Sequence, residues 1–133
     1  MAVALYCRCS TKKQDLESQR KALIQWATNN KHEYVLYEDL AISGRKDDRK
    51  GINQLLKDAE HNKFQLVGVV ELSRIGRSIG FICRTVEELS KNGVKIVLTN
   101  SNTTLDYSTL EGRTLIGGLS LASDIEWMLI KER

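Results

Sequence analysis

Proline is missing altogether from this chain of 133 residues, and internal repeats and low-complexity tracts are missing with it. Nothing therefore marks a linker, and the whole length fits one compact domain. No apolar run reaches membrane-spanning length and no signal-peptide pattern opens the chain, so no membrane partner is expected and the cytoplasm is the expected location. Cysteine is scarce and odd in number: Cys7, Cys9 and Cys83. They read as reduced, small core residues, and a lone Cys-x-Cys without a second ligand pair argues against a metal site. The two histidines, His32 and His61, sit in polar segments and read as solvated helix-end residues. With no histidine beside a candidate nucleophile, a Ser-His-Asp arrangement is unsupported. With no glycine-rich loop ending in Lys-Ser/Thr, nucleotide hydrolysis is unsupported too. The net charge of +3 is compatible with a polyanionic partner but too mild to specify one, while 41% hydrophobic and 28% charged residues suit a folded core.

What is present begins at the amino terminus. In Val3-Ala4-Leu5-Tyr6-Cys7-Arg8-Cys9-Ser10, a strand sends alternate side chains to opposite faces. Val3, Leu5, Cys7 and Cys9 share an apolar face. Tyr6, Arg8 and Ser10 share the other. A phenol, a guanidinium and a hydroxyl are costly to bury without partners, so this face reads as placed for chemistry on an anion.

Strand-like and helix-like segments then alternate. Residues 14–30 read as a helix with Leu16, Leu23, Ile24 and Ala27 on one stripe, and 34–37 as a short strand. A polar loop over 40–50 leads into a helix over about 51–62 carrying Ile52, Leu55, Leu56 and Ala59. The apolar run 66–70 reads as a buried central strand. A turn over 73–78 precedes a helix over about 79–92, with Ile79, Ile82, Val86 and Leu89 inside and Gly93 as its stop. A strand over 94–98 and a loop over 99–107 follow. Ser108-x-x-Glu111 resembles a capping box opening a last, long helix whose stripe is Leu115, Leu119, Ala122, Ile125 and Leu129. Gly112, Gly117 and Gly118 weaken that helix by about 1 kcal/mol each relative to alanine. They serve either close approach between subunits or tight packing on the chain's own sheet. The helix runs to Arg133 without a stop signal, so the chain is expected to be an excised domain, with a core over 1–107 and a helix beginning at 108–133.

This order implies an α/β sandwich of three layers, a mostly parallel central sheet flanked by helices. In such sheets the working groups gather beyond the carboxyl ends of the strands. Ser10 follows the first strand, Ser43, Arg45 and Arg49 the second, Arg74 and Arg77 the third. Guanidinium binds phosphate oxygens in a fork and stays charged, so arginines around one serine suit phosphoryl chemistry. Plainer explanations stand beside this. Arg45 is explained by a solvated loop, Arg49 by Asp47 and Asp48, and Arg74 and Arg77 by the exposed first turn of a helix. Arg8, inside a central strand, is the hardest to explain that way.

The ordered set resembles the serine recombinases, the resolvase/invertase family. The resemblance is carried by Tyr6-x-Arg8-x-Ser10-Thr11 with Gln14 and Gln19, Asp39 with Ser43-Gly44, and Arg49-Lys50-Gly51. It continues in the Arg74-x-x-Arg77 turn, Gly112-Arg113, Glu126 and Glu132-Arg133. It implies a resolvase-like fold in which Ser10 attacks a DNA phosphate and forms a covalent 5′-phosphoserine. Arg8, Arg49, Arg74 and Arg77 would bind that phosphate, Gln14 and Gln19 would help position the site, and Tyr6 would pack beside it. No ATP, metal or other cofactor would be needed. The implied partners are double-stranded DNA and further copies of the chain, a homodimer assembling to a tetramer, in a prokaryotic, mobile-element setting. The long helix would form the dimer interface and lead into a DNA-binding region.

Two departures stand out. The family usually carries an acidic residue just before Arg74, where this chain has Ser73. Either Glu71, on the same strand face, fills the role, or catalysis is impaired. Trp127 stands near the end of the long helix, where polar or basic residues are common. An impaired relative and a flavodoxin-like module binding a small phosphorylated ligand are the alternative readings.

Overall fold

The computed structural model describes residues 2–9, 13–40, 49–76 and 78–131. Ser10, Ser43, Arg45, Arg77, Glu132 and Arg133 lie outside the described residues.

Five strands form one sheet in the order β2-β1-β3-β4-β5. Strands β1 (Val3–Cys9), β2 (Tyr34–Leu40), β3 (Leu66–Val69) and β4 (Lys95–Leu98) run parallel, and β5 (Thr103–Leu105) returns antiparallel along β4. Every residue of β1 is buried, because the strand is covered on both faces. Val3, Leu5, Cys7 and Cys9 pack against Leu16, Leu23 and Ala27 of helix α1 (Lys13–Asn29). On the opposite face, Ala4 and Tyr6 join a larger core with Val67, Val69 and Ile96. Ile52, Leu55 and Ala59 of α2 (Lys50–Glu60), Ile82, Val86 and Leu89 of α3 (Ile79–Lys91), and Ile116 of α4 (Leu110–Lys131) complete it. The three layers expected from the alternation of elements are therefore present. Gly93 takes the left-handed conformation (φ 74) just beyond α3, as a helix stop does.

Four expectations need correction. Strand β2 runs through Glu38-Asp39-Leu40, beyond its apolar stretch, because in-register pairing with Cys7-Arg8-Cys9 continues the ladder. Residues 99–107 hold β5, three residues without an apolar run, stabilised by pairing with Ile96–Leu98. Ser108 does not cap the last helix: its hydroxyl donates to Asp106 Oδ1 (2.7 Å), and Thr109 Oγ1 accepts from the Gly112 amide (2.9 Å) instead. Finally, of the expected stripe on α4 only Leu119 packs on the core, while Leu115, Ile125 and Leu129 are exposed. Gly112 and Ile116 are the residues of α4 buried against the domain. A Cβ at 112 would overlap the Asp106 carbonyl, whereas one at 117 or 118 would meet nothing. Close packing within the chain thus accounts for Gly112 and not for the other two.

Candidate active site

Because β1, β2 and β3 are parallel, their carboxyl ends open on a single edge of the sheet. Arg8 and Asp39 are register partners there, so their side chains leave the sheet on the same face. Both are buried. Asp39 is the hub. Its Oδ1 accepts from the Gly51 amide (2.7 Å), and its Oδ2 from the Ile52 amide (2.9 Å) and the Tyr6 hydroxyl (2.7 Å). It thereby performs, from β2, the capping that Arg49 at the N-cap position of α2 does not. A carboxylate at a helix N-terminus satisfies orphan amides and complements the helix dipole. Gly51 makes this approach possible, since a Cβ there would lie 2.5 Å from the Glu38 carbonyl oxygen. Burial, and secondarily the bond to Asp39, push the Tyr6 phenol well above its ordinary pKa, so Tyr6 remains a neutral donor.

Arg49 itself is left-handed (φ 54), an uncommon conformation for a side-chain-bearing residue. Its Nη2 donates to the Ile75 carbonyl, and its guanidinium carbon lies 3.9 Å from the centre of the Phe81 ring. Neither partner is charged, so neither cancels the positive charge it holds.

The backbone of Arg8 is fixed by a side chain. The pairing of β1 with β3 covers Ala4 and Leu5. Further along, the Gln19 carboxamide of α1 takes the place of a neighbouring strand. Its Oε1 accepts from the Arg8 amide (3.1 Å) and its Nε2 donates to the Arg8 carbonyl (2.9 Å). That same Nε2 lies 3.4 Å from Asp15 Oδ2. Asp15 in turn receives Arg74 as a fork, Nη1 to Oδ2 at 2.7 Å and Nη2 to Oδ1 at 3.2 Å, while Glu71 Oε1 lies 3.3 Å from Arg74 Nε. Arg74 belongs to a single 3-10 turn over Leu72–Arg74.

Of the residues singled out in the sequence, Tyr6, Arg8, Gln19, Asp39, Arg49 and Arg74 are linked or adjacent at this edge. Gln14 is exposed on α1, Ser73 is exposed on the turn, and Glu126 is half-buried on α4. Ser10, Ser43 and Arg77 lie outside the described residues. Arg74 is held by carboxylates rather than simply solvated. Three contributors escaped the sequence reading: Asp15, Phe81 and the Ile75 carbonyl. Only Asp15 left a local signal, its i, i+4 spacing from Gln19, which sets both on one face of a helix.

The cysteines are free and buried. Burial, with the nearby Glu38 carboxylate adding to it, pushes the Cys7 thiol up to about 12, which keeps it protonated at neutral pH. Among the described residues no group of His, Cys, Asp and Glu is disposed to hold a metal ion. Nor is any helix among them long and apolar enough to cross a membrane.

A family model described as "Resolvase, N terminal domain" matches residues 3–133. The DNA-invertase Hin of Salmonella typhimurium is 33% identical over 134 residues, covering 100% of this chain and 65% of that protein. Serine recombinase PinR of Escherichia coli is 28% identical over 128 residues, 96% of this chain and 64% of the relative. The chain therefore spans under two thirds of the length of these relatives. Among solved structures, a resolvase family site-specific recombinase from Streptococcus pneumoniae superimposes with a TM-score of 0.83 at 27% identity, covering 98% of this chain and 91% of that one. The N-terminal catalytic domain of TP901-1 integrase gives 0.79 at 26% identity, with 97% and 98% covered. With the family model matching residues 3–133 of this chain and the fold shared with recombinase catalytic domains, the chain belongs to the serine recombinase family.

Proposed function

We propose that this chain is the catalytic domain of a site-specific DNA recombinase that cuts and rejoins strands through a phosphoserine at Ser10. The observation that carries the reading is the gathering of Arg8, Arg49 and Arg74, from three separate elements, at the carboxyl edge of the sheet that Ser10 follows in sequence. In this reading the Ser10 oxygen attacks the scissile phosphorus and gives up its proton. The bond from phosphorus to the 3′ oxygen breaks, and that oxygen leaves as a hydroxyl after taking a proton. The 5′ phosphate stays on Ser10. Arg8, Arg49, Arg74 and Arg77 neutralise the charge that builds on the phosphate oxygens. Gln19 and Asp39 hold the strand and helix ends that carry these arginines, Tyr6 braces Asp39, and Gln14, Ser43 and Glu126 play supporting parts. Rejoining is the reverse attack by a 3′ hydroxyl, so the bond energy is conserved without ATP or a metal.

Residues 1–107 form the catalytic core in this reading, and 108–133 begin a helix that pairs two copies and leads toward a DNA-binding region. Dimers bind each crossover site on double-stranded DNA, and two dimers assemble as a tetramer. The exposed apolar side chains along α4 support the pairing. The setting is a bacterial cell or its mobile elements, as the names of the relatives suggest.

The test is covalent trapping. Full-length protein is given a crossover duplex nicked so that rejoining is impossible, and the products are run on a denaturing gel. A protein–DNA adduct on the 5′ phosphate, absent from Ser10→Ala, is expected. Specific binding without an adduct would favour the impaired relative instead, and a gain of cleavage in Ser73→Asp would then be expected.

A further inference from the structure

We propose that Asp15 is a positioning residue for Arg74 during strand cleavage, supplying from α1 the carboxylate that the turn lacks at position 73. The inference rests on the recombinase reading. Ser73 is exposed and uncharged. Asp15 lies 59 residues from Arg74 in sequence, yet its two oxygens meet both terminal nitrogens of the guanidinium (2.7 and 3.2 Å). Such a fork fixes the plane of the guanidinium as well as neutralising it, which a single-point contact does not.

Asp15 is braced from behind. Gln19 Nε2 lies 3.4 Å from Asp15 Oδ2 while donating to the Arg8 carbonyl at 2.9 Å. A continuous path therefore runs from the Arg8 backbone through Gln19 and Asp15 to the Arg74 guanidinium. Two arginines assigned to one phosphate are set relative to each other by the first turns of α1, the helix that follows Ser10. Glu71, 3.3 Å from Nε, steadies the remaining side. Asp15 takes one N–H from each terminal nitrogen, which leaves each a second to offer. The side chains of Arg74 and Asp15 are 30% and 32% exposed, so an incoming phosphate can reach the guanidinium without unpacking it. A carboxylate braced in this way presents the arginine rather than hiding it.

The experiment measures the rate of Ser10-dependent adduct formation by full-length protein on the nicked duplex, as a function of DNA concentration. For Asp15→Asn and Asp15→Ser, the rate at saturating DNA is expected to fall about 10-fold or more, with the half-saturating concentration within about 2-fold of wild type. Asp15→Glu, which keeps the carboxylate, is expected to recover most of the rate. A loss accompanied by a matching fall in melting temperature and no recovery by glutamate would make the role structural and overturn the proposal. So would a wild-type rate, a faster rate, or a loss confined to DNA affinity. Absence of any adduct from wild type would sink the recombinase reading and this inference together, whereas a normal wild type beside an unaltered Asp15→Asn sinks the inference alone.

Discussion

The arginine edge of the sheet and the far half of α4 break the usual burial rule in opposite senses. At the edge, Arg8 and Asp39 are buried. Along α4, Leu121, Ile125, Trp127, Met128, Leu129 and Ile130 are exposed, Trp127 by 65%. Buried charge is stable only with partners, and the edge supplies them from its own chain: Asp39 has two amides of a helix N-terminus and the Tyr6 hydroxyl, and half-buried Arg49 has a carbonyl and an aromatic face. The exposed apolar face has no such supply within the described residues. One region is held together by hydrogen bonds within its own chain. The other presents a run of apolar side chains to solvent.

The sharpest way to break this contrast is at its buried end. Asp39→Ala removes the acceptor for the Tyr6 hydroxyl and for two amides at the start of α2. Each orphaned group costs about 1–3 kcal/mol, so a loss of about 3–5 kcal/mol in urea unfolding is expected, together with loss of adduct formation. The root of α4 comes next. Gly112→Ala places a Cβ against the Asp106 carbonyl. About 2–3 kcal/mol is expected from overpacking, with the loss seen as earlier unfolding in the same assay. Gly117→Ala is its control: the space there is open, so the change is expected to stabilise by up to about 1 kcal/mol.

These two sites also mark how far the sequence could be read. The alternation in β1, the stripes of α2 and α3 and the apolar β3 are local patterns, and the three-layer sandwich followed from them. Asp39 stood out only by resemblance, because its partners are 12, 13 and 33 residues away. The pairing of Asp15 with Arg74 spans 59 residues and has no periodicity to announce it. Thr109 displaced Ser108 as cap because Asp106 captures the Ser108 hydroxyl, a competition between neighbours that spacing alone does not decide. The left-handed turn at Arg49 likewise has no local pattern to announce it; it precedes the helix start that Asp39 caps from β2.

Alkaline pH offers a smaller, graded test of the buried end. The Cys7 thiol is held up to about 12 by burial above all, while in the unfolded chain it ionises near 9. Between those values the folded state binds more protons than the unfolded, so stability present below pH 9 is lost as pH rises, by about 1.4 kcal/mol per unit. Above pH 10 the raised phenols of Tyr6 and Tyr37 add to the decline. Urea midpoints at pH 8, 9, 10 and 11 are expected to fall, and Cys7→Ala is expected to reduce the step between 9 and 10 while leaving a step between 10 and 11. An unchanged slope in Cys7→Ala would mean that the thiol is not the group that titrates.

The smallest effect on stability is expected where the exposed apolar surface is greatest. Met128→Lys and Ile125→Asn sit on side chains 59% and 49% exposed, and surface changes of this kind usually alter unfolding free energy by less than about 0.5 kcal/mol. Yet burying a methionine or isoleucine in a partner is worth about 1.5–3 kcal/mol per copy, and a symmetric interface counts each change twice. At dilutions where both are monomers the double variant is therefore expected to unfold like wild type, and it is expected to sediment as a monomer at concentrations where wild type self-associates. It should also lose adduct formation at a crossover site that requires paired copies. If association persisted unchanged, the apolar face of α4 would not be the pairing surface, and the contrast with the arginine edge would reduce to an exposed helix with no partner of its own kind.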